Sequence, residues 1–259
     1  MKKSIIARII IWSIIACILT GFLIAGLTYR GWNFGSFFRI DDGNYTYGGT
    51  EFDPAEIDSV EIEWISGDIT IQEGTKVSFS EHSTSQLDED EQMGYRIEGK
   101  TLIIKAYTRS QWWGFSTPNK DLALTLPPEL MKLDIEVVSA DVNMSGNFTI
   151  NQLSLEGVSG SWRMGDMICE NVDMETVSGK IALTFSEMPH SINFDSVSGD
   201  IQLYVPKDAG FRINLDSVSG DVISDMPMVK EKKDYVIGDG STRVDGDTVS
   251  GDIEVYGRP

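Results

Sequence analysis

The sequence has few of the residues that most enzymes use for chemistry. Its 259 residues include two cysteines and two histidines. Cys17 lies in an apolar run and Cys169 in a region of repeats, so we expect neither a disulfide framework nor a zinc site built on Cys-x-x-Cys. His82 and His190 belong to no nucleophile motif, and the chain has no phosphate-binding loop. We therefore expect no catalytic residues and no resident cofactor.

Basic residues are also scarce. The chain has 21 Lys and Arg against 40 Asp and Glu, which gives a net charge of −19 and a pI of about 4.4. Proteins that bind nucleic acid need a positively charged surface, so this composition excludes a nucleic-acid partner. An acidic surface favours solubility, and it is also suited to attracting cations or basic peptides.

Acidic residues are absent from the first 40 positions, where an uncharged apolar run of 19 residues extends from Ile9 to Leu27. As a helix this run is about 28 Å long, close to the thickness of a bilayer core. Lys2, Lys3 and Arg8 precede it. Because basic residues flank the cytoplasmic end of such helices, the N-terminus is predicted to be cytoplasmic and the bulk of the chain extracytoplasmic.

These observations predict a single-pass protein of the cell membrane with three parts. Residues 1–30 form a cytoplasmic tip and transmembrane anchor, residues 31–55 a stalk, and residues 56–259 the extracytoplasmic domain. A cleaved signal peptide is the alternative reading of the apolar run.

The segment Asp216-Ser-Val-Ser-Gly-Asp221 recurs in variant form along the chain. Numbered from its glycine as position 0, every copy has serine at −1, Ile or Val at −2 and an acid at −4. Position +2 is always apolar. The residues at position 0, by which each unit is named below, are Gly67, Ala140, Gly160, Gly179, Gly199, Gly220 and Gly251.

A period near 20 residues indicates stacked structural repeats. Ile201–Val205 alternates apolar and polar residues, as a half-buried strand does. Each unit therefore reads as a strand that ends near −3, a tight bend in which glycine suggests positive φ, and a second strand. The predicted fold is all-β, a parallel β-solenoid in which equivalent residues stack on one another. A meander of hairpins is the alternative, and it would place −2 beside +2 of the same unit.

Two stretches depart from the regular spacing. The 73 residues between positions 67 and 140 contain three strand-like runs, which we expect to form coils with degenerate bends: Lys76–Ser80, Tyr95–Tyr107 and Asp121–Leu126. The 31-residue spacing before Gly251 includes extra residues near Met226–Gly240, which we expect to form a loop or end cap.

An aromatic cluster, Trp112, Trp113 and Phe115, lies between the second and third of those runs. Clustered aromatic side chains mark partner-binding or membrane-binding surfaces. They are equally suited to covering the exposed end of a solenoid. The cluster is therefore a candidate partner-binding site, with the end cap as the alternative.

Acidic residues follow the repeat at positions −4 and +1. If coils stack about 4.8 Å apart, neighbouring carboxylates repel by about 1 to 3 kcal/mol before screening. Such rows could bind Ca²⁺ through oxygen ligands or attract cationic peptides, and a plain solvated face is the alternative. The candidate residues are Asp195, Asp200, Asp216, Asp221, Asp247 and Asp252.

The order of anchor, stalk and Val-Ser-Gly-Asp repeats resembles the “putative adhesin” family of bacterial cell-envelope proteins of unknown function, which includes LiaG-like and YvlB-like proteins. The repeats that carry the resemblance are Trp64–Asp68, Asp195–Asp200, Asp216–Asp221 and Asp247–Asp252. The resemblance implies a β-solenoid on the outer face of a bacterial membrane and a link to the cell-envelope stress response.

We therefore expect a non-catalytic, membrane-anchored module that binds or senses envelope components, cationic peptides or other envelope proteins. Two alternatives remain open at this point. One is an adhesion or scaffold protein that senses no ligand, and the other is a polysaccharide-active enzyme.

Overall fold

The computed structural model describes residues 44–88, 91–106 and 119–258, and β-strand is their main secondary structure. They belong to one compact unit, Ile40–Pro259. The anchor predicted at residues 9–27 and the aromatic cluster Trp112, Trp113 and Phe115 lie outside the described residues. Among the described residues no helix is long and apolar enough to cross a membrane.

Nineteen strands and one short 3-10 helix, Pro54–Glu56, make up the described part of the chain. In order the strands are β1 (Thr46–Tyr47), β2 (Thr50–Phe52), β3 (Ser59–Glu73), β4 (Val77–Ser83), β5 (Gly94–Glu98), β6 (Thr101–Lys105), β7 (Lys120–Leu126), β8 (Glu129–Ser145), β9 (Phe148–Gly157), β10 (Ser161–Thr176), β11 (Lys180–Phe185), β12 (Ser191–Ser196), β13 (Asp200–Pro206), β14 (Phe211–Ser217), β15 (Val222–Ser224), β16 (Met228–Glu231), β17 (Asp234–Ile237), β18 (Thr242–Thr248) and β19 (Ile253–Arg258).

Each repeat contributes one strand before its bend and one after it, and the two kinds of strand form separate parallel ladders. Ladder A contains the strands before the bends, in the order β3, β8, β9, β10, β12, β18, β14. Ladder B contains the strands after the bends, in the order β3, β8, β10, β11, β13, β19, β15. Strands β3, β8 and β10 are long enough to take part in both ladders.

Pairing between repeats confirms the solenoid prediction and excludes the hairpin alternative for these units. Position −4 pairs with −4, as in Glu175 with Asp195, and +2 pairs with +2, as in Ile181 with Ile201. The prediction that the first strand ends near −3 is also confirmed. Strands β10, β12, β14 and β18 all end at −3.

Burial follows the same columns. The +2 residues, from Ile69 in coil 67 to Ile253 in coil 251, are buried in one core shared by both ladders. The −2 residues are half-buried or exposed. In the coils from 160 onward they lie in the bend itself, beyond the last residue of the first strand. The apolar interior therefore depends on stacking, because one coil alone leaves its +2 side chain without partners above and below.

The stack does not follow the order of the sequence at one place, and there the sequence prediction was wrong. Coils 67, 140, 160, 179 and 199 stack in sequence order. The next coil is 251, whose strands β18 and β19 pair with β12 and β13 of coil 199. Coil 220 comes last, on the far side of coil 251. The last repeat in the sequence is thus inserted between the two that precede it.

Both ends of the stack are closed by antiparallel strands. At one end β6 pairs in parallel with β3 on ladder A and β7 pairs in parallel with β3 on ladder B, so these two runs join the stack as predicted. The runs at Lys76–Ser80 and at Tyr95–Glu98 do not form coils, which corrects that part of the prediction. Strand β4 pairs antiparallel with β7, and β5 pairs antiparallel with β6. Each therefore caps its ladder.

The other end is closed on ladder A alone. Strands β16 and β17 form a hairpin that pairs antiparallel with β14, so the segment Met226–Gly240 contains the predicted end cap. The described part of the region assigned to the stalk also contributes strands. β1 pairs with β5 and β2 with β4, which extends the folded domain ahead of residue 56.

Candidate functional site

The bends show why serine occupies position −1 in every repeat. In the coils from 140 onward, the serine Oγ donates to the carbonyl oxygen of the −2 residue in the adjacent coil, at 3.2 to 3.4 Å. In coil 179, for example, the backbone N–H of Ser178 donates to Val158 O at 2.9 Å and its Oγ donates to the same atom at 3.3 Å. These pairs join the coils at the corner, where ladder pairing stops.

A second set of hydroxyls, at position −3, holds the bend from inside and was not singled out in the sequence. Ser196 Oγ accepts from Gly199 N–H at 2.7 Å, and Thr248 Oγ1 accepts from Gly251 N–H at 2.9 Å. Ser217 Oγ donates to Gly220 O at 2.7 Å. Buried hydroxyls need such partners, because an unpaired one costs about 1–3 kcal/mol. A Ser or Thr between the −4 acid and the −2 valine, present in four of the seven repeats, was the signal available in the sequence.

Glycine is needed at position 0 for one of two reasons, a positive φ or close contact with the next coil, and the reason differs between coils. At Gly179 φ is +123°, the left-handed region that the sequence pattern suggested. Gly220 and Gly251 are not in that region, but an added Cβ at either would overlap a backbone carbonyl oxygen of the neighbouring coil. Close approach of stacked backbones therefore explains these two glycines. At Ala140 strand β8 runs straight through, so this bend is of another type, as the alanine suggested.

The −4 acids form one continuous column on ladder A, here called the carboxylate column. Each pairs in register with the next. In stack order the column is Glu63, Glu136, Glu156, Glu175, Asp195, Asp247 and Asp216. Since adjacent strands lie about 4.8 Å apart, this is a line of like charges along the length of the stack.

Most of the column has no cationic partner. Glu63 forms an ion pair with Lys105 at 2.7 Å. Among the described residues no Lys or Arg lies within ion-pair distance of the last five members, Glu156 to Asp216 in stack order, and all but Glu156 of these five are exposed. Partial burial, and then the carboxylate of Asp247, raise the pKa of Asp195. Partial burial, followed by Glu175 and Asp134, raises the pKa of Glu156, with Lys132 acting in the opposite direction.

The carboxylates of the neighbouring −6 column are engaged in hydrogen bonds or ion pairs, so this column is a weaker candidate. Asp173 accepts from Gln152 Nε2 at 2.6 Å and from Asn193 Nδ2 at 2.8 Å. Asp134 pairs with Lys132 at 2.7 Å, and Arg243 pairs with Asp245. The uncompensated negative charge of ladder A therefore concentrates on the carboxylate column.

The +1 aspartates, predicted as cation ligands, mostly hold the stack together instead. Asp200 Oδ1 accepts from the backbone N–H of Asp252 at 3.1 Å, and Asp252 Oδ1 accepts from the N–H of Asp221 at 2.9 Å. Asp141 Oδ1 accepts from Ser161 N–H at 2.7 Å. Each of these carboxylates satisfies a backbone donor of the next coil at the point where the second strand begins.

The predicted calcium ligands do not converge in the described residues. No group of three or more His, Cys, Asp or Glu side chains there is arranged to hold a metal ion. Asp195, Asp216 and Asp247 belong to the carboxylate column, and Asp200, Asp221 and Asp252 lie at the start of ladder B. The two sets are separated by the bend, so the six residues do not meet at one point.

A buried lysine at the other end of the stack anchors a third polar cluster. The Lys120 side chain is 1% exposed, and its Nζ lies 3.0 Å from Glu81 Oε2, donates to Glu91 O at 2.7 Å and also bonds Ala106 O. The Trp64 ring lies 5.4 Å from the same ammonium. Burial lowers the pKa of Lys120, and Glu81 partly offsets this. The cluster fastens the cap strands to coil 67.

Comparison with protein families identifies the repeats. The family model for Toastrack DUF4097 matches residues 57–189 and 171–256. The chain belongs to the Toastrack family. The two matched segments overlap and together include every repeat from coil 67 to coil 251, so the resemblance noted in the sequence is confirmed. A search of curated proteins finds no match to this Toastrack chain.

Three solved structures are similar to the Toastrack chain at low identity. A “putative cell adhesion protein” from Clostridium sporogenes is 12% identical, with 83% of this chain and 100% of that one covered and a TM-score of 0.46. A “putative adhesin” from Bacteroides fragilis is 14% identical, with 80% and 95% covered and a TM-score of 0.46. A “putative lipid binding protein” from Parabacteroides distasonis is 16% identical, with 84% and 96% covered and a TM-score of 0.29. Likenesses at this level assign no function.

Proposed function

We propose that this Toastrack chain is a non-catalytic binding module that is anchored in the cell membrane by residues 9–27 and presents ladder A outside the cell. Its ligands are polycationic, such as basic peptides that reach the envelope under stress. The observation that carries the proposal is the carboxylate column, five consecutive members of which have no ion-pair partner among the described residues.

The column favours multivalent cationic ligands over single ions. Its charges are spaced evenly along a line and do not surround a point. A metal ion could therefore contact only carboxylates that are adjacent in the column. A chain with several positive charges can contact several members at once and relieve their mutual repulsion. Partial burial, and after it the charge of a neighbouring column member, raises the pKa values of Glu156 and Asp195.

A binding titration with a matched charge control tests the ligand class. The probe is a decalysine peptide, and the variant Glu175→Gln, Asp195→Asn, Asp247→Asn removes three charges from the column. The control Glu129→Gln, Glu187→Gln, Asp208→Asn removes three exposed charges elsewhere. We expect at least about tenfold weaker binding for the column variant and less than about twofold for the control, because local charge contacts outweigh screened long-range attraction.

Equal losses in the two variants would show that binding follows net charge alone and would refute the column as a site. No binding of decalysine to the wild-type chain would favour the adhesion or scaffold alternative. Membrane placement is tested separately, by protease treatment of intact cells. We expect residues 44–258 to be accessible from outside and the anchor to remain in the membrane fraction.

A further inference from the structure

The inserted position of coil 251 is specified by one pair of residues inside the core. Position −5 is apolar in six coils, and Gly246 of coil 251 is the exception. Gly246 pairs in register with Phe194, the aromatic member of this column. A Cβ added at Gly246 would overlap the Phe194 ring, so the ring occupies the space that a −5 side chain would need.

The same pair excludes coil 220 from the position beside coil 199. Coil 220 has Leu215 at −5, which would stand opposite Phe194 if the coils stacked in sequence order. Where a single Cβ does not fit, a leucine fits less well, and overpacking of this kind costs about 1–3 kcal/mol or more. With Phe194 in its observed place, the slot next to coil 199 therefore selects coil 251.

Contacts on both sides of coil 251 reinforce the selection. Towards coil 199, Ser250 Oγ donates to Val197 O at 3.4 Å, and Tyr256 stacks on Tyr204 with ring centroids 5.2 Å apart. Towards coil 220, Ser219 Oγ donates to Val249 O at 3.2 Å and the Asp252 carboxylate accepts from Asp221 N–H at 2.9 Å. The two strands of this segment are thus held by ladder pairing on both of their edges, as strands from a separate chain would be.

The connection to this segment is the β16–β17 hairpin, in which β17 stays paired with β14 and only the tip and β16 are exposed. Lys232 and Lys233 form the tip of the β16–β17 hairpin, and Val229 is 62% exposed. No strand of coil 251 is continuous with a strand of either neighbour. Among the described strands coil 220 joins the stack only through coil 251, and a coil of identical sequence from another molecule can make the same ladder pairs with coils 199 and 220.

We propose that the slot between coils 199 and 220 is a strand-acceptor site for residues 242–258, keyed by Phe194 and Gly246, and that a second copy of this chain supplies the strands. The product is a strand-exchanged dimer or a longer chain of copies. This inference is independent of the polycation proposal, because the carboxylate column does not have to bind anything for the exchange to occur.

The first test measures the specificity of the slot. A protease site is inserted between Lys232 and Lys233 of the full-length chain, which is kept in detergent. Cleavage there breaks the backbone while the C-terminal segment stays bound to the rest of the protein. A labelled synthetic peptide of residues 233–258 is then exchanged into the cut protein. Two further peptides carry Gly246→Leu, which adds a side chain facing Phe194, and Asp247→Leu, which adds the same side chain on the exposed face.

We expect the wild-type and Asp247→Leu peptides to bind within about tenfold of each other, and the Gly246→Leu peptide to bind about 100-fold more weakly. Phe194→Ala in the cut protein should restore binding of the Gly246→Leu peptide to within about tenfold of wild type. The acceptor site is overturned if the two leucine peptides bind equally well, or if the wild-type peptide does not exchange.

The second test asks whether a second copy is the donor. Two differently tagged full-length chains are mixed in detergent and held a few degrees below the melting temperature, and native mass spectrometry counts mixed dimers. Dimers should form, and excess wild-type peptide should suppress them while the Gly246→Leu peptide does not. A second copy is ruled out as the donor if no mixed dimers form, or if neither peptide changes the amount of mixed dimer.

Discussion

At the scale of single residues, each position of the repeat has its own physical cause. Serine at −1 links adjacent coils, hydroxyls at −3 close the bend, and several +1 aspartates satisfy backbone N–H groups of the next coil. A residue that looks like a ligand in one coil is therefore a structural link in the stack. The −4 acids differ, because most of them make no hydrogen bond or ion pair with the described part of the chain that would explain their presence in every coil.

Gly179 combines both reasons for glycine, so its replacement should be severe. Gly179→Ala places a Cβ at φ +123° and against the carbonyl oxygen of Gly160. We expect a loss of about 2–4 kcal/mol in the free energy of unfolding, measured by chemical denaturation. Gly99→Ala is the control, since Gly99 has φ +65° with nothing near its missing Cβ, and it should lose only about 1–2 kcal/mol. Similar losses at the two sites would show that close approach contributes nothing.

The raised pKa of Asp195 predicts how stability depends on pH. Because the pKa of this carboxyl is higher in the folded state, folding favours its protonated form, and the associated stability is lost as pH rises through the folded pKa. Asp195 should therefore contribute a rising slope to the melting temperature as pH is lowered through its raised pKa towards the ordinary value of 3.8. Asp195→Asn should raise the melting temperature at pH 7 and reduce that slope, while Asp208→Asn, away from the column, leaves the slope unchanged.

At the scale of elements, the strands and bends were predictable and their spatial order was not. Strict columns at −1, −2 and −4 predict parallel stacking, because equivalent residues need equivalent neighbours, and pairs such as Glu175 with Asp195 confirm it. Sequence order does not determine stacking order, since every coil presents the same backbone pattern to its neighbours. The pair Gly246 and Phe194 favours the observed stacking order, but this can be recognised only once the two residues are known to be adjacent.

The cap strands also escaped prediction, and for a different reason. Strands β4 and β5 alternate apolar and polar residues as the coils do, and this alternation is the same for parallel and antiparallel pairing. The carboxylate column could be located from the sequence, since it follows the repeat. The structural role of Asp200 and Asp252 could not, because it depends on which backbone N–H lies across from each carboxylate.

The cap at coil 67 should be sensitive to the loss of the Lys120 charge. Lys120→Met leaves the Glu81 side chain, which is 10% exposed, without its cation, and we expect a loss of about 3–5 kcal/mol in the free energy of unfolding. The double variant Lys120→Met, Glu81→Leu should recover at least about half of it. Lys76→Met, which breaks the exposed pair with Glu51, is the control and should cost less than about 1 kcal/mol. If Lys120→Met is as stable as wild type, the Lys120 cluster does not hold the cap strands to coil 67.

At the scale of the whole molecule, an acidic stack with a line of like charges should gain stability from salt. Raising the salt concentration from about 0.01 M to 1 M shortens the Debye length from about 30 Å to 3 Å, which is below the spacing of the column. We expect the melting temperature to rise over this range. The column variant Glu175→Gln, Asp195→Asn, Asp247→Asn should show a smaller rise than the control variant with three charges removed elsewhere. Equal rises would assign the effect to net charge.

The displaced position of coil 251 also has a consequence for biosynthesis. A ribosome releases residues 211–224 before residues 242–258, so coil 220 emerges while its only neighbour in the stack has yet to be made. Until then the edges of β12 and β13 stay open, and the nascent chain has nothing to dock there that Phe194 tolerates. Folding from the first coil is therefore complete only once residues 242–258 pair with coil 199, and until then the chain keeps an open pair of strand edges.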